Sequence, residues 1–293
     1  MLLSVPTKRF LLIPAVFLFI LPFTSSADII IGGRSIVVAQ RGDSLSLIGA
    51  RYGVDWQVVA RENGFDPKGV CRPGQQFSIN NLRIVPKIIQ DGIIVNVPDR
   101  MLYFFRNGEL VRAFPVGLGL PRKEWQTPIG PFLIARKERD PTWYVPESIQ
   151  REMINKGQRV RIVVPPGKDN PLGRYALYTS LQNILIHETI WPATIYTWRS
   201  HGCIRVSPEI MGEFYDQVER GTTGEIIYQP VSVAVREGRV YLQVGKDIYR
   251  RIPSMDAEVR ARIEERGLAD SVDWVKVQDV TKKKTGVAED VTR

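Results

Sequence analysis

The residues best suited to chemistry lie in the segment 199–206, whose sequence is RSHGCIRV. Cys203 follows a glycine and precedes an apolar residue, an arrangement that places a thiol on a tight turn at the start of a strand. Gly202 lets the backbone approach a substrate closely, and the amides around Cys203 can face a developing oxyanion. This pattern is as compatible with cysteine-based acyl transfer as with a buried, inert cysteine.

A catalytic cysteine requires a base, and the chain offers only two histidines, His187 and His201. The thiolate is the nucleophile, so a base within hydrogen-bond reach must accept the proton of the thiol. His187 directly follows the apolar run 184–186, a position from which its ring can emerge at the rim of a sheet. His201 lies two residues before the thiol, where the turn is expected to direct its side chain elsewhere. His187 is therefore the predicted base.

The composition restricts the classes of protein that can carry this chemistry. With 44% hydrophobic and 24% charged residues among 293, the chain can form a packed core, and wholesale disorder is excluded. Only two cysteines occur, which excludes a disulfide scaffold, a cysteine-rich zinc module and an iron–sulfur protein. Two histidines and one cysteine without a supporting carboxylate seldom form a zinc centre, so no metal is expected. The second cysteine, Cys71, is predicted to be a small buried hydrophobe.

Residues 1–27 have the layout of a secretory signal peptide. Lys8 and Arg9 precede an apolar run of about fourteen residues, fewer than the roughly 20 that span a bilayer. We expect cleavage after Ala27 and no stable membrane span afterwards, with a retained N-terminal anchor as the alternative. The formal charge of +9 suits an anionic surrounding such as a cell wall. Nucleic acid is not an expected partner, because the basic residues are scattered and lack interleaved stacking aromatics.

Residues 29–84 predict a small domain with the order strand, helix, helix, strand. Asp43 or Ser44 can cap the first helix, and Gly53 can end it in the left-handed conformation. Asp55 can cap the second helix, and an alternating strand pattern follows a loop rich in proline and glycine.

Residues 91–230 predict a domain made mainly of strands. The pair Asn107-Gly108 between two apolar runs is a strong hairpin signal. Ser207 followed by Pro208 indicates the start of an amphipathic helix.

Residues 231–293 predict a C-terminal extension. It contains a hairpin around Glu237-Gly238 and a helix over about 255–265, and it becomes polar after about residue 276. We expect this last part to be a disordered, solvated tail.

The motifs of this sequence resemble those of two known families. The segments 186–189 (IHET) and 200–205 (SHGCIR), with the upstream turns 127–130 (TPIG) and 170–173 (NPLG), resemble the signature of the YkuD-type L,D-transpeptidase domain. The segment 29–84 resembles a LysM module, and the matching residues are Val38, Gly42, Asp43, Ser44, Leu45, Ile48, Gly53, Val59, Asn63, Pro73, Gly74, Gln75, Phe77 and Ile79. The whole order of segments is similar to ErfK-type periplasmic enzymes of Gram-negative bacteria.

The resemblance implies a mainly β chain, in which a small βααβ LysM domain precedes a β-sandwich-like YkuD catalytic domain. It implies a cysteine acyl-enzyme that uses no cofactor and is acylated by carbapenems. Cys203 corresponds to the nucleophile and His187 to the proton donor and acceptor. The backbone carbonyl of Glu188 is expected to orient the imidazole, and the amides of His201, Gly202 and Cys203 to form the oxyanion hole.

The resemblance also implies substrate-binding residues. Arg205 is placed to hold a substrate carboxylate, with an ion pair to Glu209 or Asp216 as the alternative, and Ser200 is expected to contact substrate. In the LysM module, the expected glycan-binding residues, unless the module only packs, are Gly42, Asp43, Ser44 and Asn63.

One departure from the family pattern is plain, because a glycine usually follows the catalytic histidine and this chain has Glu188. A carboxylate at this position could raise the pKa of His187 and favour a thiolate–imidazolium pair. The aromatic loop 191–198 either lines the acceptor side of the site or packs over the edge of the domain.

The predicted function is peptidoglycan L,D-transpeptidation in the periplasm. The enzyme would cleave the terminal D-alanine from a tetrapeptide stem and transfer the acyl group to an amine. That amine could be the lysine of an outer-membrane lipoprotein or a second stem, which gives a 3–3 crosslink. Water as acceptor would make the protein an L,D-carboxypeptidase, and a non-catalytic protein that binds peptidoglycan is the remaining alternative.

Overall fold

The computed structural model describes residues 28–67 and 69–293, so the predicted signal peptide lies outside the described residues. Within those two ranges, no helix has both the length and the apolar character needed to cross a membrane.

The N-terminal module has the predicted βααβ order, which confirms that expectation. Ser44 caps the first helix by accepting a hydrogen bond from the Leu47 amide, and Gly53 ends it with φ of 67°. Cys71 is buried in the core of this module, as predicted. The elements are β1 (Ile30–Ile31), β2 (Arg34–Val38), α1 (Leu45–Tyr52), α2 (Trp56–Glu62), β3 (Gln76–Asn80) and β4 (Arg83–Ile84).

The middle of the chain is mainly β, as predicted. Asn107 and Gly108 have φ of 51° and 78° and form the tight turn of the predicted hairpin. The elements are β5 (Gly92–Asn96), β6 (Met101–Arg106), β7 (Glu109–Pro115), β8 (Leu118–Gly119), β9 (Gly130–Arg139), β10 (Trp143–Tyr144), α3 (Glu147–Asn155), β11 (Val163–Val164), β12 (Tyr175–Thr179), β13 (Leu185–Glu188), β14 (Trp198–Ser200), β15 (Ile204–Val206), α4 (Pro208–Gln217) and β16 (Thr223–Ile227).

Eight of these strands form one mixed sheet with the order β15-β13-β12-β9-β16-β5-β6-β7. Strands β13 and β15 run parallel at its edge, and β16 runs parallel to β5 in its interior. Helix α4 packs its buried residues Met211 and Phe214 into the main apolar core beside this sheet. The sheet thereby gives β13 and β15 a rigid support.

The C-terminal extension is folded to its end, so the predicted disordered tail after about residue 276 is wrong. Its last strand, β19 (Ala288–Asp290), pairs with β18 (Arg239–Val244), and Val277, Val280 and Val291 are buried in its core. Val277 and Val280 lie on one face of helix α6 (Trp274–Lys283), whose other residues are mostly polar. The elements are β17 (Val231–Arg236), β18 (Arg239–Val244), α5 (Met255–Glu265), α6 (Trp274–Lys283) and β19 (Ala288–Asp290).

A buried polar cluster joins the three parts of the chain. The guanidinium of Arg83 binds Asp99 Oδ1 at 2.7 Å and the carbonyl of Gly53 at 2.5 Å. Asp99 also accepts hydrogen bonds from the Tyr103 hydroxyl and from Gln243 Nε2 in β18. Since these groups come from the module, the central sheet and the extension, the cluster holds all three together.

Candidate active site

Strands β13 and β15 bring the predicted site residues onto one face. His187 lies opposite Arg205 in the parallel ladder, so the two side chains project to the same side of the sheet. Cys203 immediately precedes β15, two residues before Arg205, and its side chain leaves on that same side. Ile204 and Val206 alternate with them and are fully buried in the core. The alternation fixes which residues face the site.

His187, Cys203 and Arg205 line one cavity of about 680 Å3. Its opposite wall comes from the segment around α3, which contributes Ile149 and Met153. Helix α3 was not among the elements predicted from the sequence, and none of its residues is buried in the core. The cavity has the size and the mixed apolar and polar lining of a ligand site.

The turn before Cys203 depends on Gly202 and Ser200. Gly202 has φ of 108°, a conformation that side chains rarely tolerate. Ser200 is buried, and its hydroxyl accepts from the Gly202 amide at 3.1 Å and donates to the Cys203 carbonyl at 2.6 Å. Both groups are therefore used inside the turn. Ser200 nevertheless lines the cavity, so its contact with substrate and an oxyanion hole formed by the amides of His201, Gly202 and Cys203 stay predictions.

A hydrogen-bond chain from the C-terminal extension supports this turn, and sequence reasoning missed it. The Thr127 hydroxyl donates to the Gly202 carbonyl at 3.0 Å and accepts from the Gly119 amide. Tyr249, beyond β18, accepts from the Thr127 amide and donates to the Gly119 carbonyl. The TPIG turn that contains Thr127 was the one available signal, whereas nothing in the sequence marks Tyr249.

His187 is oriented by the contact that the family resemblance implied. Its Nδ1 lies 2.6 Å from the backbone carbonyl of Glu188. Because a carbonyl can only accept, Nδ1 carries the hydrogen, and Nε2 is left as the basic nitrogen. Burial and the positive charge of Arg205 lower the pKa of His187 to about 4, and backbone hydrogen bonds to the carbonyls of Glu188 and Leu172 oppose this decrease. The imidazole is therefore neutral at pH 7.

Cys203 is protonated in the same resting state. Burial raises the pKa of its thiol, while the Leu185 amide and the Arg205 charge oppose the increase. The thiol donates to the Asn183 carbonyl at 3.4 Å. The site thus holds a neutral thiol and a neutral imidazole, and catalytic contacts of this kind often form only when substrate binds.

The low pKa of His187 predicts a dependence of stability on pH. The folded protein keeps His187 neutral, so its contribution is complete above about pH 6.5 and is lost as the pH falls toward 4. Between pH 7 and pH 4, we expect the free energy of unfolding of the wild type to fall by roughly 3 kcal/mol more than that of His187→Asn. Denaturant titrations at each pH measure the difference. Parallel curves for the two proteins would show that His187 is not buried in its neutral form.

Glu188 does not act on His187 through its carboxylate. Neighbouring residues of a strand point to opposite faces, so the side chain of Glu188 points away from His187. It packs against Gly173 so closely that a β-carbon added to Gly173 would lie 2.6 Å from the β-carbon of Glu188. Burial raises the pKa of its carboxyl, and Arg174 opposes the increase. The hypothesis that the carboxylate of Glu188 raises the pKa of His187 is therefore wrong, and Glu188 acts in that direction only through its backbone carbonyl. Glu188 lies in a strand and does not have a positive φ, so its backbone conformation does not require glycine, which the family usually has at this position.

Arg205 faces the cavity without a carboxylate partner. Asp216, one of the two partners considered, is bound by Arg139 at 2.7 Å, and no acidic side chain in the described ranges forms a salt bridge with Arg205. The ring of half-exposed Trp191 lies 5.8 Å from the guanidinium carbon. Trp191 thus belongs to the cavity, whereas Tyr196 and Trp198 of the same loop stack on Arg100.

His201 is directed away from the thiol, toward α3. Its Nε2 lies 2.7 Å from a carboxylate oxygen of Glu152, and its ring packs on Trp125 with centroids 4.2 Å apart. His201 therefore ties the wall formed by α3 to the turn that carries Cys203.

Two of the predicted glycan-binding side chains in the first loop of the module stabilise the loop. Asp43 is almost fully buried against Arg51, at 2.8 Å, and also accepts from the Gln40 amide. Ser44 is engaged as the cap of α1. Gly42 and Ser44 are both exposed to solvent, and Gly42 has φ of 89° with no atom within 4 Å of the place where a β-carbon would lie.

Asn63 is likewise engaged inside the module. Its amide donates to the carbonyls of Val59 and Ser78, and its oxygen accepts from the Ser78 amide at 2.7 Å. It joins the end of α2 to β3. These contacts give Asp43, Ser44 and Asn63 roles in the structure of the module, and glycan binding by these residues stays a prediction.

Comparison with known families matches two segments of the chain. Residues 90–233 match the L,D-transpeptidase catalytic domain called YkuD. Residues 37–80 match the LysM domain. The first match contains every residue of the candidate site except Tyr249, and the second contains the two helices of the N-terminal module.

Relatives match over most of the chain. A probable L,D-transpeptidase ErfK/SrfK of Escherichia coli K12 is 31% identical over 212 residues, which cover 70% of this chain and 66% of that protein. Its counterpart in Salmonella typhimurium is 27% identical over 83% of this chain and 81% of its own length. Among solved structures, an L,D-transpeptidase from Mycobacterium smegmatis is 20% identical with a TM-score of 0.37, covering 53% of this chain and 63% of that chain.

Proposed function

The chain belongs to the YkuD-type L,D-transpeptidase family, a family of cysteine-dependent enzymes, and we propose on this premise that it transfers peptidoglycan stem peptides through a thioester on Cys203. The observation that carries the proposal is the arrangement of Cys203, His187 and Arg205 on one face of β13 and β15, around a single cavity. A thiol, an oriented base and an unpaired cation are what acyl transfer from an anionic peptide requires.

The first step forms the acyl-enzyme. A rotation of the Cys203 side chain away from the Asn183 carbonyl brings the thiol to Nε2 of His187, which takes its proton. The sulfur attacks the carbonyl carbon of the third stem residue, and the oxyanion is held by backbone amides of the turn. The bond to the terminal D-alanine then breaks, and the proton on Nε2 passes to the leaving amine.

Arg205 links substrate binding to the activation of the base. Its positive charge contributes to the low pKa of His187. A substrate carboxylate bound to Arg205 neutralises that charge, so the imidazole becomes a stronger base when a stem peptide is in place. Burial is the larger cause of the neutral imidazole in the free enzyme, and because the Arg205 charge also lowers the pKa of the Cys203 thiol, the same neutralisation makes the thiol a weaker acid.

The second step transfers the acyl group to an amine. The amine gives a proton to His187 and attacks the thioester, and Cys203 is released. We propose a lipoprotein lysine or the side-chain amine of another stem as acceptor, in an exported protein whose LysM domain binds the glycan. Overexpression followed by mass spectrometry of muropeptides tests this step. Lipoprotein–muropeptide adducts or 3–3 crosslinks support transpeptidation, whereas an increase in tripeptide stems alone means that water is the acceptor.

Arg205→Lys tests the proposed carboxylate contact. Lysine keeps the charge but lacks the planar fork that binds a carboxylate through two hydrogen bonds. We expect KM for a tetrapeptide donor to rise about tenfold, equivalent to about 1.4 kcal/mol, with little change in melting temperature. Arg220→Lys, at an exposed position outside the cavity, is the matched control and should leave KM unchanged. A large drop in melting temperature with unchanged KM would make Arg205 a scaffold residue.

A further inference from the structure

A second cleft, of about 300 Å3, lies between the N-terminal module and the catalytic domain. Helix α1 and the start of α2 form one wall, and residues 193–199 form much of the other. The same loop continues into Ser200 and His201, which line the catalytic cavity. The cleft and the catalytic cavity therefore lie on either side of one segment of chain.

Arg100 lines this cleft with a hydrogen-bond donor that has no partner. Its side chain is 5% exposed and lies between the rings of Tyr196 and Trp198, at 3.8 and 4.1 Å. Its Nη1 donates to the Tyr196 carbonyl at 3.0 Å, but its buried Nε finds no acceptor in the described part of the chain. A buried donor without an acceptor is unfavourable, and this Nε, which has almost no accessible surface, meets a ligand acceptor only when the wall of the cleft shifts around the ligand.

The backbone around the cleft is strained at two positions. Arg100 and Tyr196 have φ of 55° and 57°, in the left-handed region that residues other than glycine seldom adopt. Strain of this kind concentrates at binding sites, where the surrounding structure holds a side chain in a required place. Here it holds the guanidinium between the two aromatic rings.

The cleft carries an excess of positive charge. Asp55 is the one carboxylate among its lining residues, and it is already shared by Lys246 at 3.0 Å and Arg100 at 3.8 Å. Arg199 lines the cleft at an exposed position, and no described acidic side chain forms a salt bridge with it. The chemistry of the site therefore favours an anionic ligand.

We propose that this cleft is a second substrate subsite that binds a carboxylate of a peptidoglycan stem peptide. The proposal rests on the proposed function, because it takes peptidoglycan as the substrate. The guanidinium of Arg199 matches a carboxylate in geometry, and the partly exposed ring of Trp56 can contact the alanine methyl groups of a stem. A glycan strand of peptidoglycan bound by the N-terminal module would then place one stem peptide in the cleft. The catalytic cavity next to it would receive a second stem peptide.

Binding to the full chain with a blocked catalytic cavity tests the proposal. Cys203 is first acylated with a carbapenem, and the adduct is verified by intact mass. Calorimetry then compares three probes: a disaccharide–tetrapeptide, the same disaccharide without peptide, and the tetrapeptide form with amidated carboxylates. We expect the first probe to bind about tenfold more tightly than either of the others and to shift the indole NMR signal of Trp56.

A matched pair of variants locates the effect. Arg199→Gln should remove most of the tenfold preference, and Arg220→Gln, which removes an exposed arginine outside the cleft, should keep it. Equal affinities for the three probes, or a preference that survives Arg199→Gln, would overturn the subsite. Failure of the proposed function is read separately, as absence of a carbapenem adduct on Cys203. In that case the same titrations are made after alkylation of Cys203 with iodoacetamide, and they decide the subsite by the same criteria.

Discussion

Replacement of Cys203 by alanine is expected to reduce acyl transfer by at least about a thousandfold, because it removes the only nucleophile in the proposed mechanism. The thiol contributes little to packing, since it lies at the cavity and makes one weak hydrogen bond at 3.4 Å. The melting temperature should therefore stay close to that of the wild type. Release of D-alanine from a disaccharide–tetrapeptide, measured with and without an acceptor amine, gives the rate.

The second cysteine of the chain supplies a matched control. Cys71 is buried in the core of the N-terminal module, apart from the catalytic cavity. Cys71→Ala removes one thiol, as Cys203→Ala does, but should affect stability and leave the transfer rate unchanged. If transfer persists in Cys203→Ala and disappears in Cys71→Ala, Cys203 is not the nucleophile.

Asp99→Ala is expected to lower the free energy of unfolding by about 3–5 kcal/mol. The variant leaves the Arg83 guanidinium, 3% exposed, without its counter-charge, and it deprives Tyr103 and Gln243 of their acceptor. For a chain of this size, such a loss lowers the melting temperature by on the order of 10 °C. Thermal and denaturant unfolding both measure it.

An exposed ion pair provides the comparison for Asp99. Asp216 and Arg139 lie 2.7 Å apart, and their side chains are 63% and 61% exposed. Asp216→Ala should therefore cost less than about 1 kcal/mol. If the two variants are equally stable, the cluster of Arg83 and Asp99 does not hold the three parts of the chain together.

Local sequence signals predicted most elements of the fold. The capped ends of α1, the turn at Asn107-Gly108 and the proline that starts α4 each depend on residues close together in sequence. The folded tail was missed for a physical reason. Val277 and Val280 of α6 are buried in a core that they share with residues of β17, β18 and α5, which are distant in sequence, whereas most residues after 276 are polar.

The parts of the candidate site that depend on residues close together in sequence could be predicted. The contacts between segments distant in sequence could not. The positions of Cys203, His187 and Arg205 follow from strand alternation and the family motif. The contact of Tyr249 with Thr127 and that of His201 with Glu152 each join parts of the chain far apart in sequence, 122 and 49 residues. The pKa of His187 depends on burial, which the sequence does not specify.

The most direct test of the proposed mechanism is the intact mass of the protein after brief exposure to a disaccharide–tetrapeptide without an acceptor. The mechanism predicts that one equivalent of D-alanine is released while a disaccharide–tripeptide is attached to Cys203 through a thioester that hydroxylamine removes. The Cys203→Ala protein should form no adduct and release no D-alanine. Release of D-alanine by that variant, or an adduct on any residue other than Cys203, would contradict the mechanism.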